Sequence, residues 1–165
     1  MLWSHSYDAH LGKLYFEGGP TATPTVEGGS VYTLSRWGDL FCFDAVTGQV
    51  RWSKNIAKET GVPVPGWGFA GSPQILDGLL VLNAGAAGLA LEKDTGKVVW
   101  TSAKEEAGYS TPVAFQQGQD TLALFSSGNA FTAADLHTGK ERWQVRWVTR
   151  YGVNAADPLV TGDLV

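Results

Sequence analysis

A turn that occurs three times in the same form is the feature that most constrains this fold. The chain carries three eleven-residue stretches, at 42–52, 90–100 and 133–143, which read CFDAVTGQVRW, ALEKDTGKVVW and AADLHTGKERW. Each has an acidic residue three positions before a Thr-Gly pair and a Trp four positions after the Gly. The Trp residues are 48 and 43 residues apart, and self-similarity at such a period indicates a repeat architecture.

The segments between these turns predict short antiparallel strands. Pro is tolerated at the first residue of a strand, and β-branched or aromatic runs bounded by Gly and Asp predict hairpins. Pro-led starts occur as TPTVEGGSVYTL from Thr23, SPQILDGLLVLN from Ser72, TPVAFQQGQDTLALF from Thr111 and DPLVTGDLV from Asp157. In the first unit four strands are expected, from Pro24 to about Val26, Ser30 to Ser35, Asp39 to Asp44 and Gln49 to Asn55. Helix signals are nearly absent, so we predict an all-β chain, a β-propeller of four-stranded antiparallel blades.

Composition favours one globular domain and argues against several functions. The chain has 165 residues, of which 44% are hydrophobic and 12% aromatic, enough for a sizeable core. Its net charge is -4 and its 12 Lys and Arg residues are scattered, so it has no electrostatic footprint for DNA or RNA. A single cysteine, Cys42, excludes an internal disulfide framework and a cysteine-based zinc cluster. No stretch is apolar over the roughly 20 residues of a membrane-spanning helix, and the first residues lack the features of a secretory signal.

Each fixed residue of the repeated turn has an expected structural role. The acidic residue accepts hydrogen bonds from backbone N–H groups of the turn, and the Gly takes a conformation that a side chain disfavours. The Trp on the outer strand is expected between neighbouring sheets, where it fixes their spacing. The residues concerned are Asp44, Gly48 and Trp52, then Glu92, Gly96 and Trp100, then Asp135, Gly139 and Trp143.

The pattern Ala-x-Asp-x-x-Thr-Gly-x-x-x-Trp resembles the tryptophan-docking motif of quinoprotein-type, or PQQ-like repeat, β-propellers. The third stretch matches every fixed position, whereas Cys42 stands where Ala is usual and Glu92 where Asp is usual. Proteins with such repeats include the pyrroloquinoline quinone (PQQ) alcohol dehydrogenases and the non-enzymatic outer-membrane assembly scaffold of the BamB type. The resemblance implies this fold for almost the whole chain, and an exported bacterial protein that is periplasmic, extracellular or envelope-associated.

Strand counting predicts three complete blades, at 21–57, 58–104 and 105–148, with a partial blade on either side. Residues 1–20 are interpreted as the last strand of a preceding blade, with Trp3 at the docking position, followed by a loop. Residues 149–165 are interpreted as the start of the next blade. Because an open arc exposes unpaired edges, we expect a segment of a longer propeller. The alternative is a homodimer in which two copies complete each other's split blades, in a ring of roughly eight blades.

The loops that join the outer strand of one blade to the inner strand of the next are where we expect binding residues. In the loop at 5–19, His5 and His10 flank Asp8. This combination is able to ligate a metal or transfer protons. The alternative is a hydrated loop beside the end of a strand, and no metal site is assigned.

Two further loops, at 58–71 and 148–157, carry aromatic and basic groups. Trp67, Phe69 and Tyr151 could stack on a ring, a sugar or a quinone, with Arg150 holding an anionic group. The alternative is that Phe69 and Val153 are equivalent core positions where a strand begins, and that only Trp67, Arg150 and Tyr151 are exposed. The loop at 102–110 is shorter and acidic.

Three functions remain open on the sequence alone. The leading hypothesis is a non-catalytic scaffold that binds a protein partner or small ligand at these loops, since no catalytic set stands out. The resemblance implies adjacent cysteines and calcium-binding carboxylates in the quinone enzymes, so no cofactor is assigned, and PQQ with calcium is expected only in a full-length parent. The alternatives are a fragment of a PQQ-dependent dehydrogenase for alcohol or sugar oxidation, and a carbohydrate-binding propeller.

Overall fold

Three four-stranded antiparallel sheets make up the fold of residues 2–11 and 19–161, which are the residues described by this computed structural model. In each sheet the strands are neighbours in chain order. The first sheet contains β1 (Thr25–Glu27), β2 (Ser30–Leu34), β3 (Asp39–Asp44) and β4 (Val50–Asn55). The second contains β5 (Gln74–Leu76), β6 (Leu79–Leu82), β7 (Leu89–Glu92) and β8 (Val98–Thr101), and the third contains β9 (Val113–Gln117), β10 (Asp120–Ser126), β11 (Ala130–Asp135) and β12 (Glu141–Arg146). The all-β prediction of four-stranded propeller blades is confirmed.

The same β-bulge occurs in all three sheets, between the third and fourth strands. It follows Cys42 in the first sheet, Ala90 in the second and Ala133 in the third. Each of these small buried residues lies directly opposite the Trp of its own stretch. A bulge increases local twist and redirects the strand. The first position of the repeated stretch therefore needs a small side chain, which explains why Cys42 replaces Ala without a change of structure.

The hydrophobic core lies between the sheets. The sheet of β5 to β8 is covered on both faces, because successive side chains of a strand point to opposite sides. Leu80 and Leu82 of β6 pack towards Tyr32 and Leu40 of the first sheet. Val81, between them, packs instead with Phe125 of the third sheet. All six side chains are at most 1% exposed, so the middle blade is held from both sides.

A short helix that the sequence analysis did not predict follows the first sheet. Helix α1 (Ile56–Thr60) begins after Asn55, whose side-chain oxygen accepts a hydrogen bond from Lys58 N at 3.0 Å. It ends at Gly61, which has φ 75°. Both caps are visible in the sequence, but one helical turn is too short to produce a hydrophobic period. Within the described residues, no helix has the length and apolar character needed to cross a membrane.

The segments expected as parts of further blades belong to none of the three sheets. Residues 2–11 and 147–160 contain no strand. Residues 1, 12–18 and 162–165 lie outside the described residues. The middle of the predicted loop at 5–19 and the end of the predicted blade start at 149–165 are therefore not placed.

Candidate functional site

Each sheet is joined to the next by a tryptophan. The indole Nε1 of Trp3 donates to Ala45 O at 3.0 Å, and that of Trp52 donates to Lys93 O at 3.0 Å. Trp100 Nε1 donates to Leu136 O at 2.9 Å. All three acceptors lie one position after the acidic residue of the next repeated turn. Trp3 thus occupies the same position against the first sheet as Trp52 does against the second, although its segment is not a strand.

The turn glycines lie directly under these indole rings. A Cβ atom on Gly48 would be 2.5 Å from the Trp3 ring, one on Gly96 would be 2.7 Å from the Trp52 ring, and one on Gly139 would be 2.5 Å from the Trp100 ring. These glycines also have φ values of 74°, 70° and 70°. Glycine is therefore required for two reasons. It adopts the left-handed conformation without strain, and it leaves room for the indole ring, which a Cβ atom would contact too closely.

The acidic residues hold the turns in shape. Asp44 Oδ1 accepts hydrogen bonds from Thr47 N at 2.8 Å and Val46 N at 3.0 Å, while Oδ2 accepts one from Arg51 at 2.7 Å. The Arg51 guanidinium and the Thr47 groups together hold the pKa of Asp44 far below its usual range.

The other two turns use the same principle with small differences. Asp135 Oδ1 accepts hydrogen bonds from the hydroxyl and the backbone N–H of Thr138, and these bonds lower the pKa of Asp135. Glu92 has a side chain that is one carbon longer, and its Oε2 accepts a hydrogen bond from Thr95 Oγ1 at 2.7 Å. The Glu92 replacement therefore keeps the contact to the turn threonine.

Trp143 has a different environment from the other two motif tryptophans. Its Nε1 donates to Gln117 Oε1 at 3.2 Å, within its own sheet. It lines an open apolar cavity of about 360 Å³ with Phe131, Val145 and Trp147. The third sheet therefore presents an apolar face on the side away from the second sheet.

A chain of hydrogen bonds connects the residues that precede the Pro-led strands. Thr23 N donates to Ser72 Oγ at 3.0 Å, Ser72 N to Thr111 Oγ1 at 3.3 Å, and Thr111 N to Asp157 Oδ1 at 2.6 Å. These four residues lie at the end of the sheets where β1, β5 and β9 begin, which we call the loop face. The sequence showed the recurring Ser, Thr or Asp before each Pro, but the link between successive units is visible only in the structure.

The structure does not bring His5, Asp8 and His10 together as a metal site. The His5 ring lies 5.0 Å from Phe43 and 5.2 Å from Phe41, whereas the His10 ring lies 4.5 Å from Trp37. Asp8 is exposed and shares a groove with His10. No group of three His, Cys, Asp or Glu residues in the described part of the chain is arranged to hold a metal ion.

The aromatic candidates lie on the loop face and are exposed. Trp67 is 54% exposed and Tyr151 is 77% exposed. The guanidinium of Arg150 lies 5.2 Å from the Tyr151 ring, so these two residues form a cation–π pair. Phe69, two positions after Trp67, is buried and belongs to the core.

Loop-face residues that the sequence analysis did not select hold the Trp67 loop in place. Gly66 N donates to the Glu106 carboxylate, and Trp67 N donates to the Tyr109 hydroxyl at 3.3 Å. Arg36 Nη2 donates to Trp67 O at 3.3 Å. Burial raises the pKa of Tyr109, so this phenol stays protonated at neutral pH.

A buried polar chain joins the second and third sheets below the loop face. Asn83 Nδ2 donates to Ser110 O at 3.0 Å and to Ser126 Oγ at 2.9 Å. Ser126 Oγ also accepts from Ser110 Oγ at 2.7 Å and donates to Asn154 O at 3.3 Å. Isolated Ser and Asn residues carry no sequence signal for such a network, because the partners come from different units.

Comparisons with known proteins agree with this architecture. Over its length the chain is 29% identical to the quinoprotein ethanol dehydrogenase of Pseudomonas aeruginosa, in an alignment covering 98% of this chain and 28% of that protein. It is 31% identical to the serine/threonine-protein kinase AfsK of Streptomyces griseus, across 80% of this chain and 16% of the kinase. The chain thus spans less than a third of the length of either relative.

Solved structures show the same fold at low sequence identity. Quinohemoprotein alcohol dehydrogenase from Comamonas testosteroni superposes with a TM-score of 0.62 at 16% identity, covering 84% of this chain and 29% of that one. BamB from Moraxella catarrhalis superposes with a TM-score of 0.55 at 19% identity, covering 76% of this chain and 37% of that one. The family model of the outer membrane protein assembly factor BamB matches residues 1–165, and the chain therefore belongs to this family of PQQ-like repeat propellers.

Proposed function

We propose that this chain is part of a non-catalytic β-propeller scaffold that binds a protein partner through its loop face. The observation that carries the proposal is how the polar groups of this face are used. They join one loop to the next, as Thr111 N does with Asp157 and Gly66 N does with Glu106. The loops thereby form a fixed surface on which Trp67 and Tyr151 are exposed, and such aromatic residues are enriched in protein interfaces.

The partner and the compartment are proposed from the family. The family takes its description from an outer membrane protein assembly factor, which favours an envelope location and a protein partner for this chain. Since the chain spans only part of its relatives, the binding surface of a whole protein would include further blades. In one form of this assembly a second copy completes the apolar Trp143 face, and light scattering on a sizing column would measure it as a dimer mass.

The scaffold role is tested by partner capture with matched variants. The folded chain is immobilised and exposed to a bacterial envelope extract, and bound proteins are quantified by mass spectrometry. A Trp67→Ala/Tyr151→Ala double variant should lose the enriched protein. Val46→Ala should retain it, because Val46 is 81% exposed in the turn between β3 and β4, at the opposite end of the sheets. Equal capture by all three proteins, or capture by none, would contradict the proposal.

A second candidate is a segment of a quinone-dependent dehydrogenase, favoured by the identity to the quinoprotein ethanol dehydrogenase. The described residues do not fit a quinone and calcium site on their own. The two histidines stand apart, with His5 against Phe43 of β3 and His10 against Trp37. Glu106 is engaged by Gly66 N. We therefore derive no chemical step from this segment.

The two candidates are separated by a cofactor titration. Tryptophan fluorescence of the chain is followed as PQQ and calcium are added together, with calcium alone as the control. The scaffold proposal expects no saturable quenching by the quinone. Saturable quenching that requires calcium, together with dye-linked alcohol oxidation, would support the dehydrogenase candidate instead.

A further inference from the structure

Arg36 is a buried cation with a hydrogen-bond donor that no described residue uses. It lies in the turn between β2 and β3, and only 6% of its surface is exposed. Its Nη2 donates to Trp67 O at 3.3 Å, and its Cζ lies 4.8 Å from the centroid of the Trp37 ring. Its Nε is buried and has no hydrogen-bond partner within the described residues. A buried charge with an unmet donor is costly unless another group compensates it.

The carboxylate closest to Arg36 in sequence is already occupied. Asp39 Oδ2 accepts a hydrogen bond from Ser35 Oγ at 2.8 Å, and Asp39 Oδ1 accepts one from Asn55 Nδ2 at 2.8 Å. The ion pairs formed among the described residues do not include Arg36. The negative charge that would compensate this guanidinium is therefore not supplied by a side chain of the described fold.

A small cavity lies directly against Arg36. It has a volume of about 60 Å³ and is lined by Arg36 together with Tyr7, His10, Pro20, Ser35 and Trp37. This is room for a few water-sized groups. The lining combines the buried guanidinium with the partly buried Trp37 ring and with the exposed Tyr7 and His10. A low local dielectric strengthens an ion pair.

We propose that Arg36 is the centre of a binding site for a small carboxylate anion. A guanidinium pairs with a carboxylate through two parallel N–H groups, and a carboxylate is the planar anion that matches this fork. Nε supplies one of the two donors, since it has no hydrogen-bond partner among the described residues. The site goes beyond the scaffold role, because its ligand contacts Arg36 in this cavity, whereas the scaffold role depends on the exposed Trp67 and Tyr151.

The site is tested by thermal unfolding of the 165-residue chain in sodium formate, compared with sodium chloride at the same ionic strength. An anion that binds only the folded state raises Tm. The expected rise in formate is about 2 to 4 °C at a concentration well above the dissociation constant. Arg36→Gln should abolish this rise. Arg146→Gln, which removes an exposed arginine at the end of β12, should preserve it.

Two results would overturn the proposal. One is an equal rise of Tm in formate and in chloride for the wild-type chain, and the other is an undiminished formate effect in Arg36→Gln. If Arg36→Gln does not fold, the wild-type chain is measured by NMR. The Arg36 Nε–Hε resonance should then move saturably with formate and not with chloride, and a resonance that does not move also overturns the proposal.

Discussion

Trp52 in the first sheet donates a hydrogen bond from its indole Nε1 to the carbonyl oxygen of Lys93, in the turn between β7 and β8 of the second sheet, with Nε1 and O 3.0 Å apart. Lys93 is the residue after Glu92, so the acceptor is presented by the next copy of the same turn. The ring also covers Gly96 of that turn. One tryptophan per unit therefore fixes both the distance between two blades and the position of the following turn.

Trp52→Ala should destabilise the chain far more than Trp143→Ala. The first change removes the Lys93 hydrogen bond and leaves a space between two sheets, and replacing a well-packed Trp by Ala costs about 3 to 5 kcal/mol. Trp143 holds the same sequence position, but its Nε1 bonds to Gln117 in its own sheet. We expect about 1 kcal/mol there.

The measurement for the tryptophan pair is urea unfolding followed by circular dichroism, since fluorescence changes with the number of tryptophans. Equal losses in the two variants would mean that the contact to the next turn contributes little to stability.

Gly96→Ala and Gly118→Ala separate the two requirements on a turn glycine. Both glycines have a positive φ, 70° and 65°, so both variants carry a backbone cost of roughly 1 to 2 kcal/mol. A Cβ on Gly96 would be 2.7 Å from the Trp52 ring, whereas one on Gly118 would meet nothing within 4 Å. Gly96→Ala should therefore lose about 1 to 3 kcal/mol more from crowding.

The glycine comparison is read from the difference between the two free energies of unfolding in urea. In the double variant Gly96→Ala/Trp52→Ala the extra cost of the Gly96 substitution should fall, because the ring that crowds the new methyl group is gone. An unchanged extra cost would show that strain elsewhere in the turn is responsible.

Acid should unfold the chain partly through Asp44. Its folded-state pKa is lowered by Arg51 and Thr47, so the unfolded chain binds the proton more readily. This stability is fully present above the unfolded Asp pKa, about 3.9, and is lost as the pH falls through the folded value. Asp44→Asn should flatten the loss of stability below about pH 4.

The loss of stability in acid, which we call the acid limb, is measured as the urea midpoint of unfolding at a series of pH values from neutral pH down to the acid transition. Asp94→Asn removes one carboxylate from an exposed position in the neighbouring turn and controls for the change of net charge. If Asp94→Asn and Asp44→Asn flatten the limb to the same extent, net charge rather than the Arg51 contact is the cause.

The strands and turns could be predicted because their signals are local. Pro before an inner strand, Gly in a tight turn and alternation of apolar residues each act within a few residues of chain. The predicted strand from Asp39 to Asp44 coincides with β3 (Asp39–Asp44). The fourth strand begins at Val50 instead of Gln49, which is within the uncertainty of strand ends.

The features that escaped prediction depend on contacts between units. Arg36 follows a strand in the sequence like any surface turn residue, and its burial results from the Trp67 loop and the segment that contains Tyr7 and His10. The hydrogen bond between Asn83 and Ser126 joins residues of two successive units that are 43 positions apart in the sequence. His5 and His10 are close in the chain, which suggested a pair. In the structure His5 packs on Phe43 of β3, whereas His10 packs on Trp37 in the turn between β2 and β3.

Asp157 should matter as a hydrogen-bond acceptor more than as a charge. Thr111 N donates to Asp157 Oδ1 at 2.6 Å. In the preceding unit the Thr111 hydroxyl oxygen has the role of Asp157, because it accepts a hydrogen bond from Ser72 N. Asp157→Asn keeps an oxygen in this position and should lose little stability. Asp157→Leu has a similar size but no acceptor, and because this bond is exposed and water can take the place of the lost acceptor, the loss should be about 1 kcal/mol. Hydrogen exchange of the Thr111 amide checks this directly. Faster exchange is expected in Asp157→Leu only. Equal exchange in both variants would show that this bond does not hold the loop face together.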